Sequence, residues 1–201
     1  MQFFEVEAKG DLKILDRKVE LTTNRLFLRS FRLHDVDDVY EYTNDPEWAK
    51  YQINIPPVPM TRKIVEELVT MFSNPPDSQG ILQMFAIVYN GKVIGEICLN
   101  QHDEDLHNDR FEITYALSRR YWGKGLMTEA AKGAVNWVFV THQNLHRMYA
   151  WCDPRNIGSL RVLEKLGMKR EGQLRNHLKW DHEYRDQLFF GLLRDEWNEK
   201  L

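Results

Sequence analysis

The segment Arg119-Arg120-Tyr121-Trp122-Gly123-Lys124-Gly125 lies between an alternating stretch, Phe111 to Leu117, and a helical pattern that follows Gly125. A helix start carries backbone N–H groups with no internal partner, together with the positive end of the helix dipole. Glycines let an anion approach the backbone and accept dihedrals closed to other residues. Arg119, Arg120 and Lys124 add positive charge. The spacing therefore suits a pyrophosphate seated on the first turn of a helix, and it equally suits an ordinary glycine turn. It is not a Walker loop, since no Gly-Lys-Ser/Thr follows, and its glycines are too close together for a dinucleotide-binding fingerprint.

About thirty residues on, Asn156 and Ser159 stand three apart after a strand-like run and ahead of Leu163-Glu164-Lys165-Leu166-Gly167-Met168. Residues three apart share a helix face. An amide and a hydroxyl would thus point the same way, although Asn in that place also reads as a plain N-cap. Glu112 lies on the polar face of the strand leading to the glycine turn and could take up a proton through water, or be one more solvated carboxylate. His102, Asp103, Glu104, Asp105, His107 and Asp109 crowd one loop, but without zinc or calcium spacing, so no metal is expected. Asp35, Asp37, Asp38 and Glu41 would attract a cationic amine if they bordered a cleft, and otherwise form a capped surface helix. Trp48, Tyr51 and the prolines at 56, 57 and 59 could shape an acceptor pocket. Cys152, on an apolar strand, reads as buried rather than nucleophilic.

The elements that would position these residues alternate between strand and helix. Leu21 to Phe31 predicts a first strand. An acidic helix starts near His34 and stops at Asn44-Asp45-Pro46. Thr61 is placed to cap a helix with Ile64, Val65, Leu68, Val69 and Phe72 on one side. Leu82 to Tyr89, the turn Asn90-Gly91 and a return strand through Leu99 read as a hairpin. Met127, Ala131, Ala134 and Val138 step by four, three and four along a long helix. A strand at Arg147 to Cys152, a short helix stopped by Gly167 and a strand-like tail complete an α/β (α+β) chain around a mixed sheet.

The 201 residues carry 27 Lys+Arg against 30 Asp+Glu, a net charge of −3, with 43% hydrophobic residues. This balance suits one globular domain, read as 21–201 behind an extension, 1–20. It lacks the excess positive charge of a nucleic-acid or anionic-membrane binder. The apolar runs, such as Phe85 to Tyr89, are far too short to span a bilayer. The first ten residues do not read as a secretory signal. Two cysteines make no disulfide framework, which points to the cytoplasm.

The run Arg119 to Ala130, then His146-Arg147, Asp153 to Ser159 and Leu163 to Met168, resembles the GNAT acetyltransferase superfamily. Within it the likeness is to the RimJ/RimL-type group, which includes protein N-terminal acetyltransferases. Leu26-x-Leu28-Arg29, Asn44-Asp45-Pro46, Glu171-Gly172 and Tyr184-Arg185-Asp186 extend the resemblance over nearly everything after residue 20. It implies a mostly antiparallel sheet with splayed middle strands, and acetyl-CoA as donor. The pyrophosphate would sit on the backbone of Arg120, Trp122, Gly123, Lys124 and Gly125, with Thr128 nearby. The pantetheine arm would lie between the strand ends near Leu117 and Cys152 and meet Asn156. A backbone N–H near Leu117 would stabilise the oxyanion, and Ser159 would donate to the departing sulfur. The family's downstream glutamate aligns with Asn176-His177-Leu178-Lys179, which has none, so His177 becomes a candidate base beside Glu112. The acceptor implied is a primary amine, either a protein N-terminus or a small molecule, attacked directly, and a homodimer fits the same likeness. The missing glutamate keeps open a non-catalytic acyl-CoA sensor, and the anion seat alone keeps open a nucleotide binder.

Overall fold

Asn90 and Gly91 both adopt positive φ, 51° and 77°, and close a tight hairpin between β3 (Ile81–Tyr89) and β4 (Lys92–Asn100). This hairpin is the centre of the fold in the computed structural model, which describes residues 19–52, 55, 56, 58–74, 81–101, 109–180 and 183–198. On one side of it lie β2 (Phe27–Arg29) and β1 (Leu21–Thr22). On the other lie β5 (Arg110–Leu117), β6 (Arg147–Cys152), β8 (Glu183–Leu193) and β7 (Lys169–Trp180). The sheet runs β1-β2-β3-β4-β5-β6-β8-β7.

Every neighbouring pair is antiparallel except β5 with β6. That parallel pair is brief: Arg110 with Arg147, Phe111 with Met148, Glu112 with Tyr149. β5 continues to Leu117 and β6 to Cys152. Past Glu112 the two strands part in the middle of the sheet.

Helices cover both faces. The long helix α4 (Leu126–Thr141) buries Met127, Ala131, Ala134 and Val138, the stripe its sequence spacing predicts, and Ala130, Val135 and Phe139 as well. With α5 (Ile157–Leu166) it seals a core that includes Phe85, Ile97, Phe111, Met148 and Phe190. On the opposite face α1 (Val36–Thr43) and α3 (Arg62–Ser73) bury Val39, Tyr42, Val65 and Val69 against Met84, Ala86 and Val93. Thr61 accepts from Ile64 N at 3.3 Å and caps α3.

Three local expectations are corrected. The first strand is broken in two, because Thr23 folds back on Leu26: its N–H donates to Leu26 O at 2.9 Å and its hydroxyl accepts from Leu26 N at 3.1 Å. Asn44-Asp45-Pro46 ends α1 but opens another turn, α2 (Pro46–Ala49), with Asp45 accepting from Glu47 N and Pro46 in the first helical position. In the tail, β8 is followed by a further short helix, α6 (Arg194–Asn198). The acidic loop at 102–108 lies outside the described residues. Among those described, no helix is long and apolar enough to cross a membrane.

Polar pins fix α1. Arg29 donates twice to Asp35, at 2.7 and 2.8 Å, in a buried pair. Tyr42 Oη donates to Glu96 on β4 at 2.5 Å. Burial lifts the Glu96 carboxyl to about 7, against the opposing pull of the Tyr42 bond. An unfolded carboxyl loses its proton near 4.5. Glu96 therefore stabilises the fold most below pH 4.5, and that contribution is lost as the pH rises through about 7. In denaturant titrations, Glu96→Gln should remove a decline of about 2 kcal/mol between pH 5 and 8, after discounting for partial exposure. Parallel stability profiles for wild type and variant would contradict this.

Candidate active site

The parting of β5 and β6 leaves strand edges unpaired in the interior. Ser118 N donates to Ile94 O at 2.8 Å, in register with the β4–β5 ladder. In an antiparallel ladder, alternate residues turn their backbone groups toward the partner. Glu112, Thr114 and Ala116 thus face β4, while Ile113, Tyr115 and Leu117 turn their N–H and C=O toward the gap. Side chains alternate as well: Phe111, Ile113 and Leu117 join the α4–α5 core, whereas Ala116 packs with α1 and α3. Glu112 and Thr114 share the face of Ala116.

The gap opens into a cavity of about 870 Å³ that reaches from α2 to the start of α4. At the α4 end, Gly123 and Gly125 hold φ of 73° and 74°. Gly125 is the N-cap of α4, and the first helical residues, Leu126 to Thr128, line the cavity with their unpartnered end of the helix. The turn is held from behind. Arg25 donates to Lys124 O at 3.1 Å and to Glu129 at 2.6 Å, and Thr23 Oγ1 donates to the same carboxylate at 2.6 Å. Burial pushes the Glu129 carboxyl up, but these hydrogen bonds outweigh it and hold its pKa below the ordinary value.

The charged ends of Arg119, Arg120 and Lys124 are engaged by other groups. Arg120 pairs with Glu41 of α1, Arg119 lies 3.8 Å from Asp45, and Lys124 Nζ sits 5.1 Å from the Tyr121 ring centre. Neither Arg120 nor Lys124 lines the cavity, while Trp122, Gly123, Gly125 and Thr128 do. Lys50, Arg155 and Arg185 line it beside α2, and Arg161 and Lys165, one turn apart on α5, line it as well. Their i, i+4 spacing was visible in the sequence, but nothing there showed which way that face of α5 turns.

At the middle of the gap, Asn156 Oδ1 accepts from Ser159 N at 3.1 Å and so caps α5, which leaves its Nδ2 to donate. The Ser159 hydroxyl lies 2.9 Å from Tyr115 Oη. Sequence reasoning placed Tyr115 on an apolar strand face and missed this contact; the signal was that a buried Tyr hydroxyl needs a partner. Burial raises the Tyr115 hydroxyl well above the ordinary value, with the Ser159 bond opposing. Cys152 is buried beside the same serine, and burial pushes its thiol up to about 11.

Glu112 lines the cavity and is only 4% exposed, so the solvated-carboxylate reading is discarded. It occupies the last β5–β6 pair, where the gap begins. His177 is a correction: it is exposed on β7, its ring 6.3 Å from that of Phe189, and it does not line the cavity. Trp48 and Tyr51 form the α2 end, where Tyr51 Oη donates to Arg155 O at 3.1 Å and Arg185 donates to Lys50 O at 3.2 Å. The described prolines, Pro56 and Pro59, stay off the cavity wall. The acidic helix face does not reach it either: Asp35 holds Arg29, Asp38 accepts from Val93 N, and Glu41 holds Lys92 and Arg120.

A mostly antiparallel sheet opened between its two parallel neighbours, with a glycine-capped helix end at one side of the opening, is the architecture of an N-acetyltransferase. Residues 25–169 match the model of the acetyltransferase (GNAT) domain, and the chain belongs to that family. It is 32% identical over 182 residues to the uncharacterized N-acetyltransferase YnaD of Bacillus subtilis, covering 90% of this chain and all of that one. Over 83 residues, 41% of this chain and 42% of the other, it is 34% identical to the ribosomal protein uS5-alanine N-acetyltransferase of Escherichia coli. A crystal structure of a GNAT acetyltransferase from Bacillus anthracis superposes with a TM-score of 0.75 at 28% identity, over 89% of this chain and all of that one.

The raised thiol of Cys152 yields a direct expectation. In a Cys98→Ser background, alkylation by iodoacetamide at pH 8 should run at least about a hundredfold slower than for free cysteine, whose thiol titrates near 8.5. Labelling at the free-cysteine rate would contradict the burial described.

Proposed function

We propose that the enzyme moves an acetyl group from acetyl-CoA to a primary amine by direct attack, in the cytoplasm. One observation carries this reading: the backbone N–H and C=O of Tyr115 and the N–H of Leu117 face an interior gap that ends at the glycine-capped start of α4. Buried backbone groups require partners. A chain of amides laid along the gap supplies them, as an added strand would. A diphosphate at its end meets the free N–H groups of α4, with Arg161 and Lys165 on the same wall. Pantetheine and its pyrophosphate have this chemistry in this order.

The thioester supplies an acyl group and a thiolate leaving group. The chain's own residues supply the rest. Leu117 N–H, directed into the gap, is the donor for the oxygen that gains charge. Tyr115 stays protonated through burial, and with its hydroxyl donating to Ser159 Oγ, 2.9 Å away, the serine proton is free to point at the departing sulfur. Glu112, buried at the mouth of the gap, takes the amine's proton directly or through water. A high Cys152 pKa disfavours an acyl-enzyme, which supports direct attack. The ribosomal protein acetyltransferase of E. coli supports an amine acceptor. Glu47 and Glu112 on the cavity wall, with the rings of Trp48 and Tyr51 at the α2 end, support an amine acceptor on a protein N-terminus or a small molecule.

Titration calorimetry should show acetyl-CoA binding, and Gly125→Glu should weaken it at least about tenfold by placing an anion at the anion seat. Absence of binding to the wild type would overturn the reading. With an amine found by thiol release, Glu112→Gln should lower kcat/KM by roughly a hundredfold or more, and Ser159→Ala by about tenfold, both sparing acetyl-CoA affinity. Full activity in either variant would remove that residue from its role.

A further inference from the structure

Trp122 stands between the two ends of the donor site. Its backbone is fixed by a tight turn, with Trp122 N–H donating to Arg119 O at 3.1 Å. Its ring lines the cavity and is 45% exposed, so it is not a core residue. Yet its indole N–H reaches back five residues and donates to Leu117 O at 2.7 Å. That carbonyl is one of the groups that the β5 alternation turns into the gap.

The bond completes the restraint of one short piece of backbone. The peptide joining Leu117 to Ser118 is gripped at both ends, by Trp122 on the carbonyl and by Ile94 O on the Ser118 N–H at 2.8 Å. The peptide before it is restrained by packing. Ala116 O approaches β4 so closely that a Cβ on Gly95 would lie 2.3 Å from it, so only glycine permits the contact. With both flanking peptides held, the Leu117 N–H has one direction, into the gap.

We propose that Trp122 is a positioning residue for acyl transfer. It ties the glycine turn to the end of β5, so that the aim of Leu117 N–H at the acyl oxygen is fixed while the diphosphate's backbone contacts are left as they are. This rests on the acetyl-CoA reading above. A preorganised donor stabilises the charge that develops only if its orientation is fixed beforehand, and an indole bond to the adjoining carbonyl fixes it without touching the reacting atoms.

The test is the infrared carbonyl band of bound [1-13C]acetyl-CoA, read beside turnover with an amine acceptor. In the wild type the band should move to lower frequency on binding. Trp122→Phe keeps a ring and loses the donor. It should lose most of that shift and about tenfold in kcat, with dissociation constants for acetyl-CoA and CoA within about threefold of wild type. Trp122→His, which keeps a ring N–H, should recover part of both and serves as the second variant. A Phe variant with the wild-type band and kcat overturns the proposal. So does a loss of affinity that matches the loss of kcat, or failure of both variants to fold, since each marks a merely structural residue. A wild type that binds no acetyl-CoA overturns the donor reading and this proposal with it; binding with an unmoved band in Trp122→Phe overturns the clamp alone.

Discussion

A sheet gains by pairing every strand edge it contains, and an unpaired N–H or C=O in the interior carries a cost of a few kcal/mol. This protein forgoes that pairing at its centre. β5 and β6 make their parallel contact at Arg110, Phe111 and Glu112 and then diverge for the rest of their length. The hairpin on one side and the long β7–β8 pair on the other hold the two halves of the sheet, and α4 and α5 close the floor beneath the opening. The interior edge is thus open because its neighbours are fixed. The glycine turn, Ser159 and Glu112 are all arranged along that edge.

The polar residues around the gap divide into those that hold it and those that face it. Arg25, Glu129 and Thr23 sit behind the glycine turn. Glu41, Lys92 and Arg120 bridge α1 to the β3–β4 turn and to the start of the loop. The exposed ion pairs among them contribute little energy individually, but they fix where the turn lies relative to the strands. Among the groups that line the cavity, Glu112, Tyr115, Ser159 and the cations of α5 lie along the gap itself.

Local signals in the sequence carried far. Asn90-Gly91 marks the hairpin, the spacing of Met127, Ala131, Ala134 and Val138 marks α4, and the strand from Arg147 to Cys152 ends where alternation predicts. Each depends only on residues close in the chain. Partnerships across long separations were not legible. Arg120 meets Glu41 from 79 residues away and Tyr115 meets Ser159 from 44, so neither the removal of the first from the seat nor the arrival of the second could be read from spacing. The same limit explains His177: it aligns with the region of the family's glutamate, but it falls in the irregular register of β7 between Leu174 and Leu178, and its neighbour Leu178 lines the cavity instead. Pro46 marks the end of the acidic helix as expected, and the same residue also opens the next one.

The carboxylate of Glu129 has a consequence of its own. It belongs to the first turn of α4, yet its partners Thr23 and Arg25 lie in the bend between the two outermost strands on that side of the sheet. The periphery of the domain and the rim of the anion seat therefore form one mechanical unit. Strands that contribute nothing to the cavity wall thereby share in holding its glycine end in place.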